Sequence, residues 1–139
     1  MKLTTIPFDK TGKFSKLILD YIKNPEKLSE FLDGEVSLQN FKNKLNQKSF
    51  PQEKRELLVQ QLRLQYKLAD IEVPNNVPLL AKENTYTITT GHQLCLLGGP
   101  QYFIHKIIST IKLSIQLKEA FPENNFVPVF WLASEDHDF

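Results

Sequence analysis

Eight consecutive apolar residues, Phe126 to Ala133, constrain this chain more than any other stretch. The run is far too short to span a bilayer, which takes about 20 residues as helix. Its Val, Phe and Trp content predicts a strand covered on both faces, the usual state of strands in a parallel sheet. Pro128 has no N–H to give a ladder and is tolerated there because it lies near the strand start. A partner strand is predicted at Thr85-Tyr86-Thr87-Ile88-Thr89-Thr90, which is β-branched and aromatic and holds no good helix former. Gly91 through Pro100 reads as a loop with three glycines. Pro100 suits a helix start, and Ile104, Ile107, Ile108, Ile111 and Ile115 recur on one helical face before Phe121-Pro122 ends it. Strand, helix and strand together predict one βαβ unit with a right-handed crossover.

Residues 1–84 differ in character. They hold fourteen of the seventeen Lys and Arg and eleven of the sixteen Asp and Glu, a balance of +3, while residues 85–139 balance at −2. All three histidines, the only Cys and the only Trp fall in the second part. The chain is therefore read as a mainly helical segment, 1–84, followed by a chemistry-bearing part, 85–139. Short helical stripes are expected at Leu17, Ile18, Tyr21 and Ile22, at Leu28, Phe31 and Leu32 before Asp33-Gly34, and at Leu38, Phe41 and Leu45. The strongest helix is expected to start near Ser49, which has capping-box spacing to Gln52, with Pro51 in the first turn. Its inner face is read as Leu58, Leu62, Tyr66 and Ala69, widened by Leu57, Leu64, Leu68 and Ile71. Val73-Pro74 is expected to end it.

With 41% apolar and 24% charged residues the chain has globular composition, and a net charge of +1 gives no field that would gather nucleic acid or an anionic membrane. A single cysteine excludes an internal disulfide and fits a reducing compartment. The N-terminus carries no apolar h-region. The expected location is the cytoplasm, with neither a membrane nor a nucleic-acid partner.

In open parallel sheets ligands bind beyond the carboxyl ends of the strands. Two polar clusters are predicted there: Thr89-Thr90-Gly91-His92-Gln93 and Ser134-Glu135-Asp136-His137-Asp138. The first, with Gly98-Gly99-Pro100-Gln101-Tyr102, is either a backbone cradle for phosphate or carboxylate at a helix N-terminus, or a glycine-rich turn that only reverses the chain. His105 and Lys106 lie in the first turns of that helix, where a cation opposes the dipole unless an anion is bound. The second cluster suits binding of an amine, of Mg²⁺ through a phosphate, or acid–base work; a solvated polar loop is the alternative. His92-x-x-Cys95 has only loose metal-ligand spacing and lacks a second Cys, so no metal site is expected.

Thr89-Thr90-Gly91-His92-Gln93, Gly98-Gly99-Pro100-x-Tyr102, His105-Lys106, and the run from Val127 through Glu135-Asp136-His137-Asp138-Phe139 together resemble the bacillithiol biosynthesis cysteine-adding enzyme family. The resemblance runs from Met1 to the last residue. It implies an α/β fold in which a helical N-terminal segment precedes the first βαβ unit of a Rossmann-like core. Family members are several times longer and add a coiled coil that makes a homodimer, so this chain reads as an N-terminal, truncated portion that is inactive alone. The family form is closer to T-T-G-Q-Q, and His92 here replaces the first Gln. The implied reaction joins cysteine to the amine of glucosaminyl-malate, with ATP or another nucleotide and Mg as the implied cofactor. On that resemblance Thr90, Gly91, His92, Gln93, Gly99 and Tyr102 shape the substrate pocket, and His105 and Lys106 offset charge on a leaving phosphate. Glu135, Asp136 and Asp138 orient the amine or amino acid, and His137 moves a proton. The competing expectations are a non-catalytic nucleotide- or small-molecule-binding half-domain, and an interaction module using the apolar face of residues 57–71.

Overall fold

The computed structural model describes residues 4–35, 37–95 and 99–136. The chain forms two compact units, residues 1–46 and 47–139. This packing boundary falls well before the compositional change near residue 84.

The first unit holds helices α1 (Lys16–Lys23) and α2 (Leu38–Gln47), with single 3₁₀ turns at Phe8–Lys10 and Pro25–Leu28. Ser15 caps α1 by accepting from the Ile18 N–H, and Ser37 does the same for Asn40 at the start of α2. The stripe expected over Leu28, Phe31 and Leu32 yields only the 3₁₀ turn, and Phe31 is 84% exposed. Pro25 and Gly34 bracket too few residues for a helix to nucleate between them. None of the described residues in this unit is buried.

The second unit begins with α3 (Gln52–Leu68). Its N-cap is Pro51 and receives no side-chain bond, so Ser49 does not cap. Gln52 donates instead to the Ala81 carbonyl at 3.1 Å and to Glu56 at 3.0 Å. The inward stripe is Arg55, Val59, Leu62 and Tyr66. Leu57, Leu64, Leu68 and Ile71, expected to widen the buried face, are about half exposed or more. The helix stops five residues before Val73. Asp70 takes a left-handed φ of 54°, Ile71 N–H bonds Tyr66 O, and Asp70 N–H bonds Lys67 O, which together make a Schellman termination.

A 3₁₀ turn at Pro78–Ala81 leads into β1 (Thr85–Gln93), then α4 (Gln101–Ala120) and β2 (Asn125–Ala133). The two strands are parallel, in register from Thr85 opposite Asn125 to Gln93 opposite Ala133. This is the expected strand–helix–strand unit, except that β1 runs on through Gly91, His92 and Gln93. Side chains of β2 alternate between faces. Val127 and Val129 join Val59, Val77 and Leu80 on the α3 side. Phe126 and Phe130 meet Phe121 and Phe103 on the α4 side. Cover on both faces thus holds for the first part of β2 and fails at its end, where Trp131 and Leu132 are 59% and 49% exposed. On α4 the seated residues are Ser114 and Leu117, whereas Ile104, Ile108, Ile111 and Ile115 point away from the sheet. The isoleucine stripe is real, but it is the outer face. Among the described residues no helix is long and apolar enough to cross a membrane.

Candidate active site

β1 delivers His92 and Gln93 to the carboxyl end of the sheet, and α4 starts beside them. Gly91 is required there by proximity. A Cβ on it would stand 2.7 Å from the Trp131 carbonyl oxygen and 3.0 Å from the Trp131 Cβ. With no side chain in the way, the strands approach closely, and Lys106 on the second turn of α4 donates its Nζ to the Gly91 carbonyl. Gly99 is required by conformation: its φ is +71°, and a Cβ would meet the Cys95 Cβ at 2.8 Å.

His92 is held from several sides. Its Nδ1 lies 3.0 Å from the Gln93 carbonyl and its Nε2 lies 2.7 Å from the Tyr102 hydroxyl. A carbonyl only accepts, so Nδ1 carries the hydrogen. In the neutral ring Nε2 is then the acceptor and takes the Tyr102 O–H. The Cys95 Sγ sits 3.2 Å from the same Nδ1 and donates to the Gln93 carbonyl at 3.5 Å. The imidazole also meets Tyr102 at a centroid distance of 5.3 Å and the edge of Phe103 at 5.6 Å, and Phe103 in turn packs on Phe130 at 5.0 Å. An imidazole wedged this way keeps one orientation, which a binding or proton-moving group needs.

On the flank of β1 an open groove of about 440 Å³ is lined by Thr89, Thr90, Tyr102, His105 and Lys106 among others. Of the residues expected at the site, the structure therefore brings Thr90, Gly91, His92, Gln93, Gly99, Tyr102, His105 and Lys106 to one end of one strand and the first turns of one helix. Glu135 and Asp136 leave from the same sheet end, since Ala133 pairs with Gln93. They form an exposed turn in which Asp136 N–H reaches back to the Ala133 carbonyl at 3.4 Å. His137, Asp138 and Gly98 lie outside the described residues. Among the described residues no group of three or more His, Cys, Asp or Glu is arranged to hold a metal. Sequence reasoning missed two contributors. Cys95, weighed in the sequence only for disulfide and metal chemistry, contacts His92, and Phe103 supplies an aromatic wall. The spacing His92-x-x-Cys95 was the available signal for the first.

Residues 1–139 match the family model described as bacillithiol biosynthesis BshC, N-terminal Rossmann-like domain. The chain belongs to this family. Among its relatives, the protein named "Putative cysteine ligase BshC" of Flavobacterium psychrophilum is 45% identical over 144 residues, covering 100% of this chain and 27% of the relative. The protein of the same name from Flavobacterium johnsoniae is 46% identical over 143 residues with the same coverage. That of Bacillus cytotoxicus is 42% identical over 124 residues, or 86% of this chain and 22% of the relative. The chain thus spans about a quarter of the length of the BshC proteins it matches. The site residues lie within the matched domain.

Proposed function

We propose that this chain supplies one wall of the active site of a ligase that joins cysteine to the amine of glucosaminyl-malate in the last step of bacillithiol synthesis. The observation that carries the reading is the fixed His92 at the carboxyl end of a parallel strand pair, in a chain that matches the BshC domain from end to end. Amide formation between a carboxylate and an amine needs the carboxylate oxygen converted to a leaving group and the amine relieved of a proton. A nucleotide, when bound, supplies the phosphate that makes that leaving group. The residues present fit its phosphates. The first N–H groups of α4 have no partner within the helix, Gly99 has no side chain at that end, and Lys106 adds positive charge with His105 beside it in the groove lining. In this reading His92 and Tyr102, bonded to each other, form a fixed wall beside the helix N–H groups that receive the acyl or phosphate oxygens. Lys106, tied to the Gly91 carbonyl, balances developing charge, and Glu135 and Asp136 hold the incoming ammonium before it gives up its proton. His137 and Asp138 belong to the same acidic run.

The test is formation of thiol product from glucosaminyl-malate and cysteine, with and without ATP, by a protein of the full length seen in the relatives. His92→Ala and Asp136→Asn are each expected to cut kcat at least tenfold while the thermal transition is kept. Near-normal turnover in both would refute the roles given to them. A second reading is a binding half-domain without turnover, favoured by the openness of the groove beside β1. It predicts nucleotide binding by the chain and no nucleotide-dependent product from the longer protein.

A further inference from the structure

The other unusual charge in the molecule lies at the amino end of β1, about 20 Å along the strand from His92 at ~3.3 Å per residue. Arg55, the fourth residue of α3, is 8% exposed. Its Nη1 donates to the carbonyls of Leu80 at 3.3 Å and Thr85 at 3.1 Å, and its Nη2 donates to that of Glu83 at 3.2 Å. These bonds clamp the segment entering β1 onto α3, which accounts for Nη1 and one N–H of Nη2 but not for the rest of the group. The Nε is fully covered and has no hydrogen-bond partner. No carboxylate among the described residues pairs with the guanidinium.

A guanidinium cannot shed its proton. Burying it without a counter-ion is costly, and neutral carbonyls offset only part of that cost. The first turn of a helix adds repulsion, because its free N–H groups are themselves positive. Arg55 also lines a cavity of about 400 Å³ together with Lys48, Ser49, Phe50, Thr85 and Thr87 among others. That lining holds two cations, several hydroxyls and no Asp or Glu. The Phe50 ring lies 5.6 Å from the guanidinium carbon and is 48% exposed, so it can turn toward solvent without leaving a packed core.

We propose that this cavity binds the carboxylate or phosphate group of a small anionic molecule, with Arg55 Nε and the free N–H of Nη2 as the recognising edge, Lys48 and Ser49 at the rim, and Phe50 swinging aside to admit it. Two adjacent N–H groups of a guanidinium match two oxygens of either anion. The site is independent of the ligase reading, since it uses none of the residues around His92.

The chain has only two arginines, Arg55 and the exposed Arg63, so their Nε–H signals can be followed separately by ¹H–¹⁵N NMR. The uniformly labelled chain is titrated with inorganic phosphate, with malonate, and with chloride at matched ionic strength. The expected result is a saturable shift of the Arg55 Nε–H with phosphate or malonate, no such shift at Arg63, and at least fivefold weaker binding in Lys48→Gln. Lys48 is an exposed residue ahead of α3, so that variant keeps the fold, whereas removing Arg55 strips three carbonyls of their donor. A response to both anions equal to that of chloride, or binding unchanged by Lys48→Gln, overturns the proposal. So does saturation in the chain that is absent in the longer protein, because the seat would then be taken by a carboxylate of the remaining polypeptide.

Discussion

Gly91 and Gly12 separate two reasons for glycine. Gly12 has a φ of +65° with nothing within 4 Å of a built Cβ, so alanine there meets only the left-handed backbone penalty, about 1–2 kcal/mol. Gly91 has ordinary backbone geometry but faces the Trp131 carbonyl oxygen at 2.7 Å. Backbone cannot yield as a flexible side chain does, so alanine at 91 must push β1 from β2 at the point where His92 is positioned. Gly91→Ala is expected to lower stability by about 1–3 kcal/mol in urea unfolding followed by far-UV circular dichroism, and to release the Lys106 ammonium from the Gly91 carbonyl. A loss below about 0.5 kcal/mol in Gly91→Ala would show that the close approach does not matter. The same residue explains why part of the site was legible in the sequence. A glycine after a β-branched run marks either a turn or a close approach, and the two cannot be told apart until the partner strand's register is known. For this reason β1 was expected to end at Thr90.

Elements were legible where one period dominated and illegible where apolar residues lay on more than one face. The strand–helix–strand order followed from β-branched runs flanking twenty residues of helical period, and the parallel register then brought both polar clusters to one sheet end. The seating of α3 and α4 did not follow. The buried stripe of α3 is headed by Arg55, a charge that no hydrophobic pattern would place inside, and it bypasses four leucines, Leu57, Leu58, Leu64 and Leu68. On α4 the isoleucines form the more obvious stripe, yet Leu117, 0% exposed, and Ser114 seat the helix. The serine is accommodated because its hydroxyl bonds the Thr110 carbonyl at 2.9 Å. The difference is measurable. Leu117→Ala should cost about 2–5 kcal/mol, whereas Ile111→Gln should change stability by no more than about 0.5 kcal/mol, both read from urea midpoints. If Ile111→Gln is the more damaging of the two, the helix is seated by its isoleucine face and not by Ser114 and Leu117.

At the scale of the whole chain the two units differ in what holds them. Residues 47–139 have a buried cluster of Val59, Val77, Leu80 and Val127, and a fully buried Leu117. Residues 1–46 have no described buried residue and rely on helix caps, the Phe8–Phe14 ring contact at 4.5 Å, and ion pairs that remain open to water. Exposed pairs contribute little, and so small a unit buries too little surface to be firmly stable by itself. Backbone amides of α1 and α2 should therefore exchange with solvent orders of magnitude faster than those of β1, β2 and the Ser114–Leu117 turn of α4. Acid should widen the gap. The Lys23 ammonium, 2.6 Å from Asp9, holds the Asp9 carboxyl below its usual range. A carboxyl whose folded value is depressed stabilises at neutral pH and loses that contribution as pH falls through the usual carboxylate range toward its folded value. Hydrogen exchange at pH 7, together with proteolysis at pH 7 and pH 3.5 using an acid-active protease for the latter, tests both parts. The expected outcome is cleavage confined to residues 1–46 at neutral pH, faster cleavage there in acid, and a protected 47–139 remnant. Protection of α1 equal to that of β1 would mean that the first unit is stabilised by contacts other than those described.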